Sequence, residues 1–295
     1  MADKPLRFSV KESQTLTAFF ALHFKGKSRS DIKSLLAHKQ LLVNDQPVSR
    51  LEHPLTEGDI VIIRKDKPEF TLEHPKARIV FEDGHLVVIE KVEGLLSVAT
   101  DGRKDETTAF SILSEYLRLK NQHPFIVHRI DRETSGLLMF AKNREMQLAL
   151  QDNWHEIVSE RTYIAVVEGV PEKEADTITS YLHENRALQI YSSQKARDGR
   201  QKAVTRYRVI CKNERYAMLR VELETGKKNQ IRVHLQEIGH PIVGDKKYGA
   251  TSSPIGRMGL HAQVLEFVHP ATKETLRFET PIPWKFRQMI ERRNE

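Results

Sequence analysis

The alternation of apolar and polar positions divides the chain before any chemistry is considered. In residues 12–24, ESQTLTAFFALHF, the side chains Leu16, Phe19, Phe20 and Phe24 recur at helical spacing and predict a helix with one apolar face. Ser30 is the expected cap of a second helix over DIKSLLAHK, whose apolar side holds Ile32, Leu35 and Leu36. LLVND, a turn at Asp45–Gln46 and the strand DIVII follow. The stretch RKDKPEFTLEHPK, residues 64–76, is charged, carries Pro68 and Pro75 and lacks periodicity, so it marks a break. The expected organisation is a small N-terminal α/β domain at 1–72, a linker at 73–77 and a larger domain at 78–295.

Beyond the break the pattern becomes strand-rich. ARIVFEDGHLVVIEKV predicts two strands joined at Asp83–Gly84. PFIVHRI, GLLMFAK, RTYIAVVEGV, AVTRYRVICK, RYAMLRVELET and LHAQVLEFVHP predict further strands. Helices are expected over DETTAFSILSEYLRLK, over NREMQLALQDNWHE with Asn143 as cap, and over NQIRVHLQEIG, which ends at Gly239. This mixture indicates an α+β domain built around an extensive, mainly antiparallel mixed sheet flanked by helices.

Composition narrows the class without naming an activity. The 295 residues include 47 Lys and Arg against 40 Asp and Glu, a formal net charge of +7. The surplus permits contact with a phosphate backbone, as it does in many unrelated basic proteins. It is spread along the chain, since residues 1–75 hold 12 basic and 10 acidic side chains. Cys211 is the single cysteine, which excludes an internal disulfide and a Cys-rich zinc site and fits the cytoplasm. No apolar run approaches the roughly 18 residues of a membrane span, and the N-terminus lacks the pattern of a secretory signal. Neither GxGxxG nor GxxxxGK[ST] is present. His234, His240, His261 and His269 have no metal-ligand spacing, so neither a metal nor a cofactor is expected.

Two places carry candidate chemistry. Lys25, Lys27, Arg29 and Lys33 gather before and within the first turn of the second helix. Helix N-terminal amides with neighbouring cations can bind phosphate, and a solvated charged loop explains the same cluster. The second place is VHRIDRETSGLLMFAKN, residues 127–143, where a polar string is flanked by strand-like hydrophobics. Functional residues often occupy such turns. By composition alone this string reads equally as a turn laced with surface salt bridges.

Both places resemble known families. GKSRSDIKSLLAHKQLLVNDQPV followed by LTEGDIVII resembles the small RNA-binding domain first known from a small-subunit ribosomal protein. Lys39 and Asp45 stand where that pattern usually has glycine. HRIDRETSGLL resembles the signature of the RluA family of pseudouridine synthases, HR-L-D-x-x-TSG-L-L, with Ile130 in place of Leu. Further blocks recur in the family's order. They are IVFEDGHLVVIEKVEGLL, with Val92 for the proline of KP-x-G; RTYIAVVEG; LETGKKNQIRVH, with Lys227–Lys228–Asn229 for Arg-Thr-His; HPIVGDKKYG; and LHAQVLEFVHP. The resemblance spans about residues 78–285.

The resemblance implies a pseudouridine synthase fold and the isomerisation of uridine in RNA, most often in large-subunit ribosomal RNA when this N-terminal domain is attached. It implies that Asp131 is the catalytic carboxylate, that Arg232 is its ion-pair partner and that Tyr163 is a platform for the base. It implies that Arg129 enters the space left by the flipped uridine. Lys27, Arg29 and Lys33 are then RNA contacts of the first domain. A monomer with RNA as partner and no membrane is expected. A synthase acting on transfer RNA, or a non-catalytic RNA-binding assembly factor, are the competing readings.

Overall fold

Leu16, Phe19 and Phe20 are all buried, in a helix that runs from Leu16 to His23. It begins later than the apolar spacing predicts, because Gln14–Thr15 pair as a short strand with Pro54–Leu55. The Thr15 hydroxyl then caps the helix by accepting from the Ala18 N–H at 3.3 Å. The computed structural model describes residues 5–24, 28–37, 40–64, 71–99, 106–197 and 199–291. The chain divides into two units, residues 1–71 with 115–122, and residues 72–114 with 123–295. Residues 65–70 of the expected break lie outside the described residues.

In the first unit the second helix spans Arg29–Ala37. Its cap is Ser28 rather than Ser30. The Ser28 hydroxyl accepts from the Asp31 N–H at 3.3 Å, and the Asp31 carboxylate accepts from the Ser28 N–H at 2.7 Å. This reciprocal pair is the capping box that S-x-x-D allows. A four-stranded antiparallel sheet runs in the order Leu6–Ser9, Ile60–Ile63, Leu41–Val43, Gln46–Pro47. The tight turn sits at Asn44–Asp45, one residue earlier than expected, with φ of 51° and 65°. Both residues tolerate the left-handed conformation that a two-residue hairpin turn demands.

The second unit is organised by an 11-stranded sheet. Its main path runs Ile190–Tyr191, Ala175–Glu184, Gln201–Lys212, Tyr216–Leu223, Val158–Glu168, Leu260–Val268, Ser135–Ala141, Leu86–Lys91, Ala77–Glu82. Thr275–Glu279 pairs with Leu260–Val268, and Phe125–Ile126 with Ser135–Ala141. Every named pairing is antiparallel except one. Ser135 and Gly136 run parallel to His261 and Ala262. Gly136 is required there. It has φ of 111°, and a Cβ on it would stand 2.1 Å from the Ala262 carbonyl oxygen. The TSG sequence therefore ends in a close strand-to-strand approach.

Helices cover both faces near the middle of this sheet. Ile231 and Leu235 of helix Gln230–Glu237 pack with Ala165, Val167, Leu219 and Val221. Phe286, Met289 and Ile290 of helix Trp284–Glu291 pack with Ile164, Val166 and Met218. The strand Val158–Glu168 thus has a covered residue on each side, which explains its unbroken apolar run IAVV. Asn143 caps helix Arg144–Asp152 as expected, accepting from the Met146 N–H at 2.7 Å. The strands Ala175–Glu184 and Thr275–Glu279 and the helix Trp284–Glu291 are additions to the elements read from the sequence.

Candidate active site

The segment between Val127 and Ser135 leaves the sheet as a loop and returns at the parallel contact. Its backbone is held from below by the stretch that follows strand Leu86–Lys91. The Ser97 hydroxyl donates to the Ile130 carbonyl at 2.7 Å and accepts the Ile130 N–H at 3.2 Å. The Gly94 N–H donates to the Arg132 carbonyl at 2.9 Å. Lys91, fully buried, donates from Nζ to the carbonyls of Thr134 at 2.5 Å, Arg132 at 3.1 Å and Val92 at 3.2 Å. Val92, standing where the family motif has proline, uses the N–H that proline lacks to bond the Lys76 carbonyl at 3.1 Å. Arg132 pairs with Glu106 at 2.6 Å.

This clamping leaves the Asp131 side chain to face a cavity of ≈ 340 Å³, within the range of small-ligand sites. Arg129, Asp131, Tyr163 and Arg232 all line it, so the four expected residues of the larger domain meet in one place. Arg232 Nη1 stands 3.2 Å from the Asp131 carboxylate. Arg129 is exposed, two residues before Asp131 on the same loop. Tyr163 reaches the cavity from the central strand Val158–Glu168.

Arg232 is held mainly by a residue that sequence reasoning did not single out. Asp245, almost fully buried, grips it with two bonds, Nε to Oδ2 at 2.6 Å and Nη2 to Oδ1 at 2.8 Å. Its Nη1 also donates to the Asn229 side-chain oxygen at 3.2 Å, and its guanidinium lies 4.8 Å over the Tyr248 ring. Asn229 in turn donates to the Tyr248 hydroxyl at 2.9 Å. Asn229 thus links guanidinium to phenol at a position where the family motif has His. Both Asp245 and Tyr248 belong to the block GDKKYG, so the block was visible and only its pairing across 13 residues was not.

The charges follow from this geometry. Burial disfavours the charged form of Arg232, yet the hydrogen bonds and charge of Asp245, and then the charge of Asp131, outweigh it and raise the pKa. One cation faces two carboxylates. Asp245 takes the bidentate grip, and Asp131 is left as the more exposed anion on a single longer bond. Burial raises the Tyr163 pKa and the charge of Asp131 adds to this, against an opposing effect of Arg161. The phenol therefore stays protonated at neutral pH.

The helix bearing Arg232 is fixed to the sheet by the residues two positions after and two before it. His234, fully buried, has Nδ1 2.8 Å from the Thr205 hydroxyl and Nε2 3.1 Å from that of Ser180. The Gln230 amide donates to Thr205 and to the Val204 carbonyl, both at 2.9 Å. His261 bonds Ser135 at 2.7 Å and Thr280 at 2.9 Å, beside the parallel strand contact. Burial pushes both His234 and His261 down to about 4, so they act as neutral hydrogen-bonding groups.

In the first unit, Arg29 and Lys33 are exposed on the second helix, and Arg29 stands 3.6 Å from Glu52. The amide of Asp31 already has the Ser28 hydroxyl as acceptor, and Asp31 adds a carboxylate to the same turn. Lys27 lies outside the described residues.

Comparison with known proteins places the chain in a family. The RNA pseudouridylate synthase family matches residues 85–237, a span that contains Asp131, Tyr163 and Arg232. The uncharacterized RNA pseudouridine synthase YhcT of Bacillus subtilis is 34% identical over 87% of this chain and 86% of its own. The ribosomal large subunit pseudouridine synthase D of Nitrosomonas europaea is 36% identical over 87% of this chain and 77% of its own. Among solved structures, human RNA pseudouridylate synthase domain containing 4 superposes with a TM-score of 0.59 at 24% identity, covering 73% of this chain and 94% of that one. That last likeness concerns the fold.

Proposed function

The chain belongs to the RNA pseudouridylate synthase family, and from that premise we propose that it isomerises specific uridines of large-subunit ribosomal RNA. The observation that carries the catalytic part is the Asp131 carboxylate on the cavity wall, singly bonded to an Arg232 that Asp245 holds in place. In the reaction the bond from C1′ to uracil N1 breaks and a bond from C1′ to C5 forms. The proton lost at C5 is balanced by one gained at N1, so no oxidant or energy source enters. Asp131 acts on the ribose as an anion. Arg232 Nη1, 3.2 Å away, orients the carboxylate. The Tyr163 ring stacks on the base, a contact worth about 1–3 kcal/mol. Arg129 fills the space vacated by the flipped uridine, whose unstacking costs a few kcal/mol.

The ribosomal choice rests on two supports. A relative of similar sequence carries the name of a large-subunit enzyme. The N-terminal unit also has the sequence pattern of a small RNA-binding domain, with Arg29 and Lys33 exposed on its second helix. A tethered second contact raises the effective concentration of RNA at the catalytic unit. The protein acts as a monomer in the cytoplasm, during ribosome assembly.

The test is to incubate the protein with large-subunit ribosomal and transfer RNA transcripts and to map pseudouridine by chemical modification. New pseudouridine in the ribosomal transcript is expected, and none with Asp131→Asn, which should still bind RNA. Conversion confined to transfer RNA would overturn the substrate assignment. Binding without conversion of any transcript would favour an assembly factor, and equal conversion by Asp131→Asn would remove that residue from the chemistry.

A further inference from the structure

Arg129 and Lys227 are exposed cations of the cavity, whereas Arg161 is a half-buried one without a carboxylate partner among the described residues. Arg161 lies two residues before Tyr163 on the same strand, so both side chains reach the same side of the sheet and line the same cavity. Its guanidinium rests 5.6 Å over the Trp154 ring, which packs in turn on His128 with ring centroids 4.9 Å apart. Among the described residues it has no carboxylate partner. Its side chain's one hydrogen bond to a described residue is a long 3.5 Å contact from Nη2 to the Leu223 carbonyl. Arg232, by contrast, is held by two carboxylates.

A partly desolvated guanidinium with most of its donors unused is costly unless an acceptor completes it. Burial indeed pushes the pKa of Arg161 down. The surface of an indole ring holds the cation by its face and leaves the N–H edges free. Gly226 makes the room. A Cβ there would stand 2.7 Å from Arg161 Nη1, and the glycine needs no left-handed backbone, so close approach is its evident purpose. The acids and bases around the cavity are also unequal. Arg129, Arg161, Lys227 and Arg232 line it, and Asp131 is the only carboxylate among the described residues that do.

We propose that Arg161, with Lys227 at the exposed rim, forms the subsite for one backbone phosphate next to the flipped uridine. The inference rests on the pseudouridine synthase reading and adds to it the group that registers the strand. A guanidinium fork matches a phosphodiester in bidentate fashion, and RNA offers one such anion per nucleotide. A uracil carbonyl would need only a neutral donor, so the uncompensated charge favours phosphate over base.

The experiment uses the full-length protein and a ribosomal RNA fragment that the wild type converts. If the wild type converts nothing, the functional reading fails and this one is overturned with it. With conversion in hand, Arg161→Gln should raise KM about 10-fold or more and leave kcat within about 2-fold. The slope of log Kd against log salt should fall by about 0.7–0.9, the share of a single phosphate contact, and Arg161→Lys should restore the slope. A methylphosphonate scanned through the linkages flanking the target uridine should weaken wild type at one linkage and leave Arg161→Gln unaffected there. Gly226→Ala, which displaces the guanidinium without removing its charge, should also raise KM with the melting temperature nearly unchanged, and it serves if Arg161→Gln does not fold. Unchanged salt slopes, or penalties that simply add at every linkage, would show that Arg161 touches the base or only the protein, and would overturn the proposal.

Discussion

Lys91→Met isolates one buried amine bonded to the loop that bears Asp131. Lys91 has no exposed surface, and burial pushes its pKa from 10.5 down to about 7. The charges of Asp131, Glu133 and Glu93 oppose that shift and the charge of Arg257 reinforces it. In the unfolded chain the amine keeps its proton up to its ordinary value, about 10.4. Between pH 7 and 10 the unfolded state thus binds a proton that the folded state has released. Stability then rises with pH, by about 1.4 kcal/mol per unit from this group alone. Over three units the gain is about 4 kcal/mol. Below pH 7 both states are protonated and the gain is gone. Methionine fills similar space and cannot titrate. Urea unfolding of both proteins from pH 6 to 10 should give a free-energy difference that is flat below 7 and climbs above it in favour of wild type. Subtracting the variant cancels the other titrating groups. A difference independent of pH would refute the perturbed amine and leave Lys91 an ordinary buried cation.

Two further substitutions probe the frame around the site. Asp245→Asn removes one charge from the grip on Arg232; breaking a buried pair of this kind costs about 3–5 kcal/mol, to be read from the urea midpoint, and turnover should fall as Arg232 loses its orientation. Wild-type values for both stability and turnover would contradict the role given to Asp245. Gly136→Ala drives a methyl group into the Ala262 carbonyl and should cost several kcal/mol or prevent folding, seen as loss of soluble protein and of the cooperative melt. A folded, active Gly136→Ala protein would mean that the two strands can separate locally.

Much of this was legible in the sequence because the relevant signals are local. The helix cap at Asn143, the apolar run through Ile164–Val167 and the helix containing Arg232 each follow from a few neighbouring residues. Errors were local too. Ser28 and Ser30 are both plausible caps, and only the return bond from Asp31 selects Ser28. The strand Ala175–Glu184 escaped notice because Ser180 occupies an inward position, where it pairs with His234 instead of presenting an apolar side chain. Of the site, the motifs carried Asp131, Tyr163, Arg232 and Arg129, which share one cavity. They also contain Asp245, Lys91 and Arg161 but give none of the three a role. Each of these matters through a neighbour that is remote in sequence, through its burial, or through the absence of a partner.

The parallel contact at Ser135–Gly136 has a consequence for how the active site comes into being. Asp131 belongs to the chain segment that ends the sheet on one side, and Tyr163 and Arg232 belong to the other. Ladder continuity between them passes through two residue pairs, and the Ser135–His261 bond beside those pairs spans 126 residues of chain. Contacts of such range close late, since the entropy of a long loop is lost before the contact is gained. Neither half of the sheet holds a complete site. Without strand Leu260–Val268 the chain holds Asp131 and Tyr163 but lacks the seam that joins their halves of the sheet. Joining the two halves therefore requires strand Leu260–Val268, whose pairing with Ser135–Gly136 is the one ladder between them among the described residues.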